Sequence, residues 1–208
     1  LRRVLDALAK VLIFVDEADT QFGGVGAETH ATERRLTGKI QAMMSDPRLR
    51  GRVIWLLMTA RINLLSPDIR RPGRVGDLII PVLDPEGADR EAFLRWAVSP
   101  FLQGALNEKN AGVLLSRLAN DTAAGFSQLR SELSARKARK GGKLSFDEVQ
   151  SVVDDLLFPA IHATRRYQTL QALVNCTRRC LLPDSKDTTQ RRLEWTEEIR
   201  ELEARGIR

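Results

Sequence analysis

Apolar residues run unbroken through Val11-Leu12-Ile13-Phe14-Val15 and then give way to Asp16-Glu17-Ala18-Asp19. β-Branched and aromatic residues dominate the run, and no polar position alternates with them. This pattern predicts a strand buried on both faces, as in the middle of a parallel sheet. A second apolar run, Val53-Ile54-Trp55-Leu56-Leu57-Met58-Thr59, predicts another strand ending in a polar residue. Asp77 to Leu83 reads as the last strand of the core, closed by Asp84-Pro85.

Helical spacing surrounds these strands. Leu1 to Lys10 reads as the tail of a helix with Val4, Leu5 and Leu8 on one face. Thr20 to Thr32 is a loop rich in Gly, Thr and Ala. It is followed by a helix, about 31–46, with Leu36, Ile40, Met43 and Met44 as its apolar stripe and Asp46-Pro47 as its stop. From Glu86 the pattern turns wholly helical: Asp89 to Val98, Asn107 to Ala119, Ser127 to Ala138 and Ser145 to Leu157. The last of these opens Ser145-Phe146-Asp147-Glu148, which has the form of a capping box. Pro159 marks a boundary. A long helix is expected from Ala160 to Leu182 and a last one from Asp187 to Arg205, separated by Pro183-Asp184-Ser185. The expected fold class is α/β, with three parts: residues 1–85 (sheet core), 86–158 (four helices) and 159–208 (helical hairpin, packing on those four helices or on a neighbour).

Composition narrows the class. With 43% apolar and 29% charged residues, the 208-residue chain reads as soluble and globular, and a cytoplasmic location is expected. No apolar run approaches bilayer length, and Leu1-Arg2-Arg3 does not open a signal peptide. The chain starts without Met, which fits a fragment. A net charge of +6 permits an acidic partner without demanding one. The basic turn Arg136-Lys137-Ala138-Arg139-Lys140-Gly141-Gly142-Lys143 has no interleaved aromatic residues, so a solvated loop is favoured over a nucleic-acid contact. Cys176 and Cys180, spaced one helical turn apart, read as reduced core residues. A metal would need more ligands, and only His162 offers itself.

The candidate chemistry sits at the end of the first strand, where open α/β sheets bind ligands. Asp16 there can hold Mg²⁺ through its water shell, and Glu17 can polarise a water for attack on a phosphate. That is the form of a Walker B motif. The stretch is short and by itself equally fits a core strand ending in a solvated acidic turn.

Downstream, Leu64-Leu65-Ser66-Pro67-Asp68-Ile69-Arg70-Arg71-Pro72-Gly73-Arg74-Val75-Gly76-Asp77 resembles the segment "LLDPALRRPGRFD" of the AAA family of ATPases. Glu33-Arg34-Arg35 is similar to the "ERR" of many members, and Gly125-Phe126-Ser127 to the start of "GFSGADL" in the lid. The resemblance covers about the first two-thirds of the chain. It implies a partial P-loop sheet core, a four-helix lid, ATP with Mg²⁺ as cofactors, and a ring of identical subunits, usually a hexamer, that remodels a protein client. It also implies roles for particular residues. Asp16 would help hold the metal, Glu17 would activate water, and Arg71 and Arg74 would be arginine fingers acting on the neighbouring subunit's ATP. Arg70 would support their loop, and Arg130 could be a sensor 2 arginine or an exposed helix arginine. The loop from Thr20 to Thr32 would lie near the pore, or would simply connect.

Several positions depart from the family. Sensor 1 strands usually end Ala-Thr-Asn-Arg; here Met58-Thr59-Ala60-Arg61 puts alanine where the asparagine sits, with the Thr59 hydroxyl one residue away as a partial substitute. Val75-Gly76 replaces Phe-Asp, and Gln128-Leu129-Arg130 replaces Gly-Ala-Asp. No G-x-x-x-x-G-K-S/T occurs in these residues; Gly23-Gly24-Val25-Gly26 lacks the Lys-Ser/Thr, so the phosphate loop is expected upstream and the fragment alone is expected to be inactive. The alternative is a non-hydrolysing AAA-like scaffold or assembly module. A DEAD-box helicase, which Val15-Asp16-Glu17-Ala18-Asp19 also spells, is disfavoured because Ser-Ala-Thr and His-Arg-x-Gly-Arg are both missing.

Overall fold

In a computed structural model the described residues are 2–23, 31–118, 122–157, 159, 161–183, 186 and 188–208. They form two units: residues 1–82 with 163–208, and residues 83–162.

The first unit holds the sheet. Strand β1 (Val11–Val15) pairs in parallel with β2 (Val53–Leu57), in the register Val11↔Val53 through Val15↔Leu57. Helix α1 (Arg2–Ala7) precedes β1. Helices α2 (Ala18–Phe22) and α3 (Ala31–Met44) make the crossover that a parallel pair requires. Arg52, the residue before β2, ties α1 to the sheet. Its Nη2 donates to the carbonyls of Leu5 (3.1 Å) and Leu8 (2.6 Å), so a guanidinium caps the negative end of the helix.

One face of the pair is covered. Val15, Trp55 and Leu57 pack against a cluster of Ala18, Phe22, Met44, Leu65 and Ile69. The other face is not: Leu12 is 63% exposed and Phe14 54%, with Ile54 and Leu56 beside them. The expectation of a strand buried on both faces is therefore corrected. Each strand alternates between half-buried and exposed positions, because the described helices of this unit cover one side only. Leu36, expected on the core stripe of α3, is likewise exposed.

The expected third strand does not form. Residues 78–86 carry no strand, and the sheet among the described residues has two strands. A strand exists only where a ladder partner lies alongside. Here Ile79 instead bonds to a side chain: its N–H donates to Thr177 Oγ1 at 2.9 Å, and the Thr177 N–H returns to the Ile79 carbonyl at 3.4 Å. Leu78, Ile80 and Val82 are left exposed.

The same contact explains a second correction. The helix expected over residues 160–182 is α8 (His162–Asn175), followed by an extended stretch and a 3₁₀ turn at Arg179–Leu181. Thr177 leaves the helical ladder to bond Ile79, and the Cys176 carbonyl accepts from Arg192 Nη2. The two cysteines therefore do not share a helix: Cys176 is buried past the end of α8, Cys180 is exposed in the turn, and neither is in a disulfide. The last helix, α9 (Thr188–Ala204), packs on α8 through Tyr167, Leu170, Ile199 and Leu202. This pair, expected against the lid or a neighbour, belongs to the unit that holds the sheet. Asn63 Nδ2 reaches Tyr167 Oη at 3.4 Å, and Tyr167 Oη donates to Glu203 at 2.9 Å. Burial, then the nearby Glu203 carboxylate, raise the pKa of the Tyr167 phenol. The break at Asp184-Ser185, and Asp187, lie outside the described residues.

Among the described residues the second unit has four helices: α4 (Gly87–Val98), α5 (Glu108–Arg117), α6 (Ala123–Lys140) and α7 (Phe146–Asp155). Their caps follow from side chains named in the sequence. Asn107 accepts from the Asn110 N–H, Thr122 from the Gly125 N–H and Ser145 from the Glu148 N–H. Glu148 completes the capping box by accepting from the Ser145 N–H at 2.7 Å. A hydrogen bond from Lys140, then that backbone bond, hold the Glu148 carboxyl below its ordinary range. Phe126, Leu129 and Leu133 of α6 are fully buried against Leu94, Leu114 and Val149. Helix α6 starts four residues before the expected Ser127, because Thr122 supplies the cap. The fold is thus α/β: a small parallel-sheet core with flanking helices, an all-helical second unit and a C-terminal helical pair.

Candidate active site

The parallel pair brings the two suspected site segments side by side. Pairing continues past the strands: the Met58 N–H donates to the Val15 carbonyl and the Ala18 N–H to the Met58 carbonyl, both at 2.8 Å. Asp16 and Glu17 therefore leave β1 beside Thr59 and Ala60, which leave β2. Both carboxylates are exposed, and Asp16 Oδ1 accepts the Glu17 N–H at 2.8 Å.

Glu17 holds a strained backbone. At φ 47° it is the one non-glycine residue with positive φ among those described, and it sits where α2 begins. An L-residue in this region costs roughly 1–2 kcal/mol, and such outliers cluster at working sites. Glu17→Gly should relieve that strain, partly offset by glycine's greater freedom when unfolded. The expected net gain is about 0.5–1 kcal/mol. Urea unfolding of the chain checks it; a lower midpoint would refute the strain.

Asp19 is the residue that sequence reasoning passed over. Its side chain is 4% exposed and pairs with Arg61 Nη2 at 2.6 Å. Thr59 donates its hydroxyl to Asp19 Oδ1 at 2.5 Å and accepts the Arg61 N–H at 2.9 Å. Burying a carboxylate without such partners would be costly. No local signal marks it, because its burial depends on residues about 40 positions away at the end of β2. The consequence falls on Thr59. Its one hydroxyl proton goes to Asp19, and Ala60 beside it has no hydrogen-bonding side chain.

The arginine loop separates its three cations. Arg70 Nη1 donates to Asn175 Oδ1 at 3.0 Å, tying the loop to the end of α8. Arg74 turns back on its own loop, donating to Ser45 Oγ (3.0 Å) and the Asp68 carbonyl (2.7 Å). Arg71 extends outward, its side chain 71% exposed, with Asp68 at 3.3 Å. Gly73, at φ 81°, turns the chain between them and donates its N–H to Asp77 Oδ1. Gly76 is required by space: an added Cβ would lie 1.9 Å from the Arg70 carbonyl oxygen and 2.8 Å from that of Arg71.

Arg130 belongs to the helical unit. Its guanidinium lies 4.6 Å over the Trp96 ring and donates to the Trp96 carbonyl. Most of the glycine-rich stretch, residues 24–30, lies outside the described residues. So do the side chains of Glu33 and Arg34. Among the described residues no group of three His, Cys, Asp or Glu could hold a metal by itself, and no helix is long and apolar enough to cross a membrane. A single exposed carboxylate at a strand end suits Mg²⁺, which keeps most of its waters and takes phosphate oxygens as further ligands.

Comparison with known proteins reaches the same segments. Residues 1–81 match the sequence model of the family described as "ATPase family associated with various cellular activities (AAA)". The chain is 34% identical over 84 residues to Protein CdcH of Halobacterium salinarum; the match takes in 40% of this chain and 11% of that protein. It is 36% identical over 80 residues to the Cell division cycle protein 48 homolog of Archaeoglobus fulgidus, across 38% of this chain and 11% of that protein. The chain thus spans about a tenth of the length of these relatives.

Proposed function

We propose, from the premise that residues 1–81 belong to an AAA-family ATPase domain, that this chain is the C-terminal part of a module that hydrolyses ATP at the boundary between subunits. The observation that carries the reading is the juxtaposition of exposed Asp16 and a strained, exposed Glu17 with the end of β2, on a unit that also projects Arg71. Asp16 would hold Mg²⁺ through its water shell, since this ion takes few protein ligands. The ion would supply charge neutralisation on the phosphate oxygens. Glu17 would accept a proton from the attacking water. Arg71, and by resemblance Arg74, would face the γ-phosphate on the next subunit, and Arg130 would report on nucleotide from the lid. The whole protein would be a homo-oligomeric ring, a hexamer by resemblance, acting on a protein client in the cytoplasm.

A second reading, a non-hydrolysing scaffold, is favoured by Ala60 and by the commitment of the Thr59 hydroxyl to Asp19. ATP turnover by the full-length parent separates the two. Turnover is expected, and Glu17→Gln should lower it by about 10²-fold or more while ATP binding persists. A parent that assembles but turns over no ATP would leave the scaffold.

A further inference from the structure

Within the sheet-bearing unit, a cleft of about 570 Å³ opens between the arginine loop and the segment joining α8 to α9. Four guanidiniums line it: Arg70, Arg178, Arg179 and Arg192. Among the described residues no carboxylate lines it, and none of these four arginines forms an ion pair. Two of the four are fixed in place. Arg70 is held by Asn175 and Arg192 by the Cys176 carbonyl, yet the Nε of each is buried without a hydrogen-bond partner. Four like charges around one cleft repel one another unless an anion joins them. Thr188, the first residue of the 17-residue α9, also lines the cleft, so the positive end of a helix adds to the field. Ile79 and Leu182 supply an apolar part of the wall.

We propose that this cleft binds the phosphate group of a small phosphorylated molecule, with the apolar wall taking the body of the ligand. Planar guanidinium forks suit phosphate oxygens, and the volume lies in the range of small-molecule sites, about 300–1,000 Å³. The site is separate from the carboxylates at the end of β1, and of the arginine loop it uses Arg70, which is tied to Asn175.

Isothermal titration calorimetry of the 208-residue chain at constant ionic strength tests it, with inorganic phosphate and phenyl phosphate as probes. Saturable binding of phosphate is expected. Tighter binding of phenyl phosphate would assign the site to a phosphomonoester, and equal binding would assign it to free phosphate. The exposed pair Arg178→Ala with Arg179→Ala leaves no partner unpaired, so it should fold normally and weaken both probes at least tenfold. Arg71→Ala should leave both unchanged. Absence of saturable binding, full binding by the double variant, or an equal loss in Arg71→Ala would overturn the assignment.

Discussion

Replacing Arg71 by alanine in the full-length parent should lower ATP turnover by about 10³–10⁵-fold, the usual worth of an arginine finger, and leave stability nearly unchanged. The structure separates the two effects. Arg71 is largely exposed and has only Asp68, itself half exposed, beside it, a pairing worth about 0–1 kcal/mol. Arg74 differs because it holds Ser45 and the Asp68 carbonyl. Arg74→Ala should therefore also destabilise the chain, by about 1–3 kcal/mol. Subunit mixing checks that Arg71 works across a boundary. An Arg71→Ala protomer keeps its own Glu17, and a Glu17→Gln protomer keeps its Arg71, so a mixture should regain turnover that neither has alone. A mixture as inactive as its components, in rings shown to assemble, would sink the action in trans.

Gly76→Ala should cost about 2–4 kcal/mol, a severe effect for adding one methyl group. The cause is not a left-handed backbone but the close approach of the Arg70 and Arg71 carbonyls, which a Cβ would overlap. The loop would have to open, and with it the Arg70–Asn175 bond and the orientation of Arg71 would be lost. Urea unfolding and turnover should fall together. A variant as stable as the parent would show that the loop is looser than this packing implies.

Much of this arrangement could be read from the residues alone. The two strands, the four helices of the second unit and the Ser145–Glu148 cap all depend on local pattern, which is where sequence reasoning is strongest. The misses share one cause: each depends on a partner far along the chain. Residues 77–83 have the composition of a strand, but no ladder partner runs beside them, and Thr177 takes their bonds. The continuous apolar pattern of β1 implied two covered faces, yet covering depends on what packs there. Helix α8 ends early for a bond that no local signal announces. In the candidate site, Asp16 and Glu17 were apparent as charges ending an apolar run. Asp19 was not, because its burial and its bonds to Thr59 and Arg61 arise only when the ends of the two strands meet. Gly76 looked like a departure from pattern until the neighbouring carbonyls gave it a reason.

The sheet-bearing unit is interrupted: residues 83–162 are inserted between its two parts. On the ribosome this reverses the usual order. The inserted helices are continuous in sequence, rest on short-range contacts, and can fold as soon as they emerge. The residues made before them cannot finish. The bond from Ile79 to Thr177 spans 98 positions, so the first segment cannot close it until α8 has been synthesised. The segment that precedes the inserted helices is therefore completed only after them.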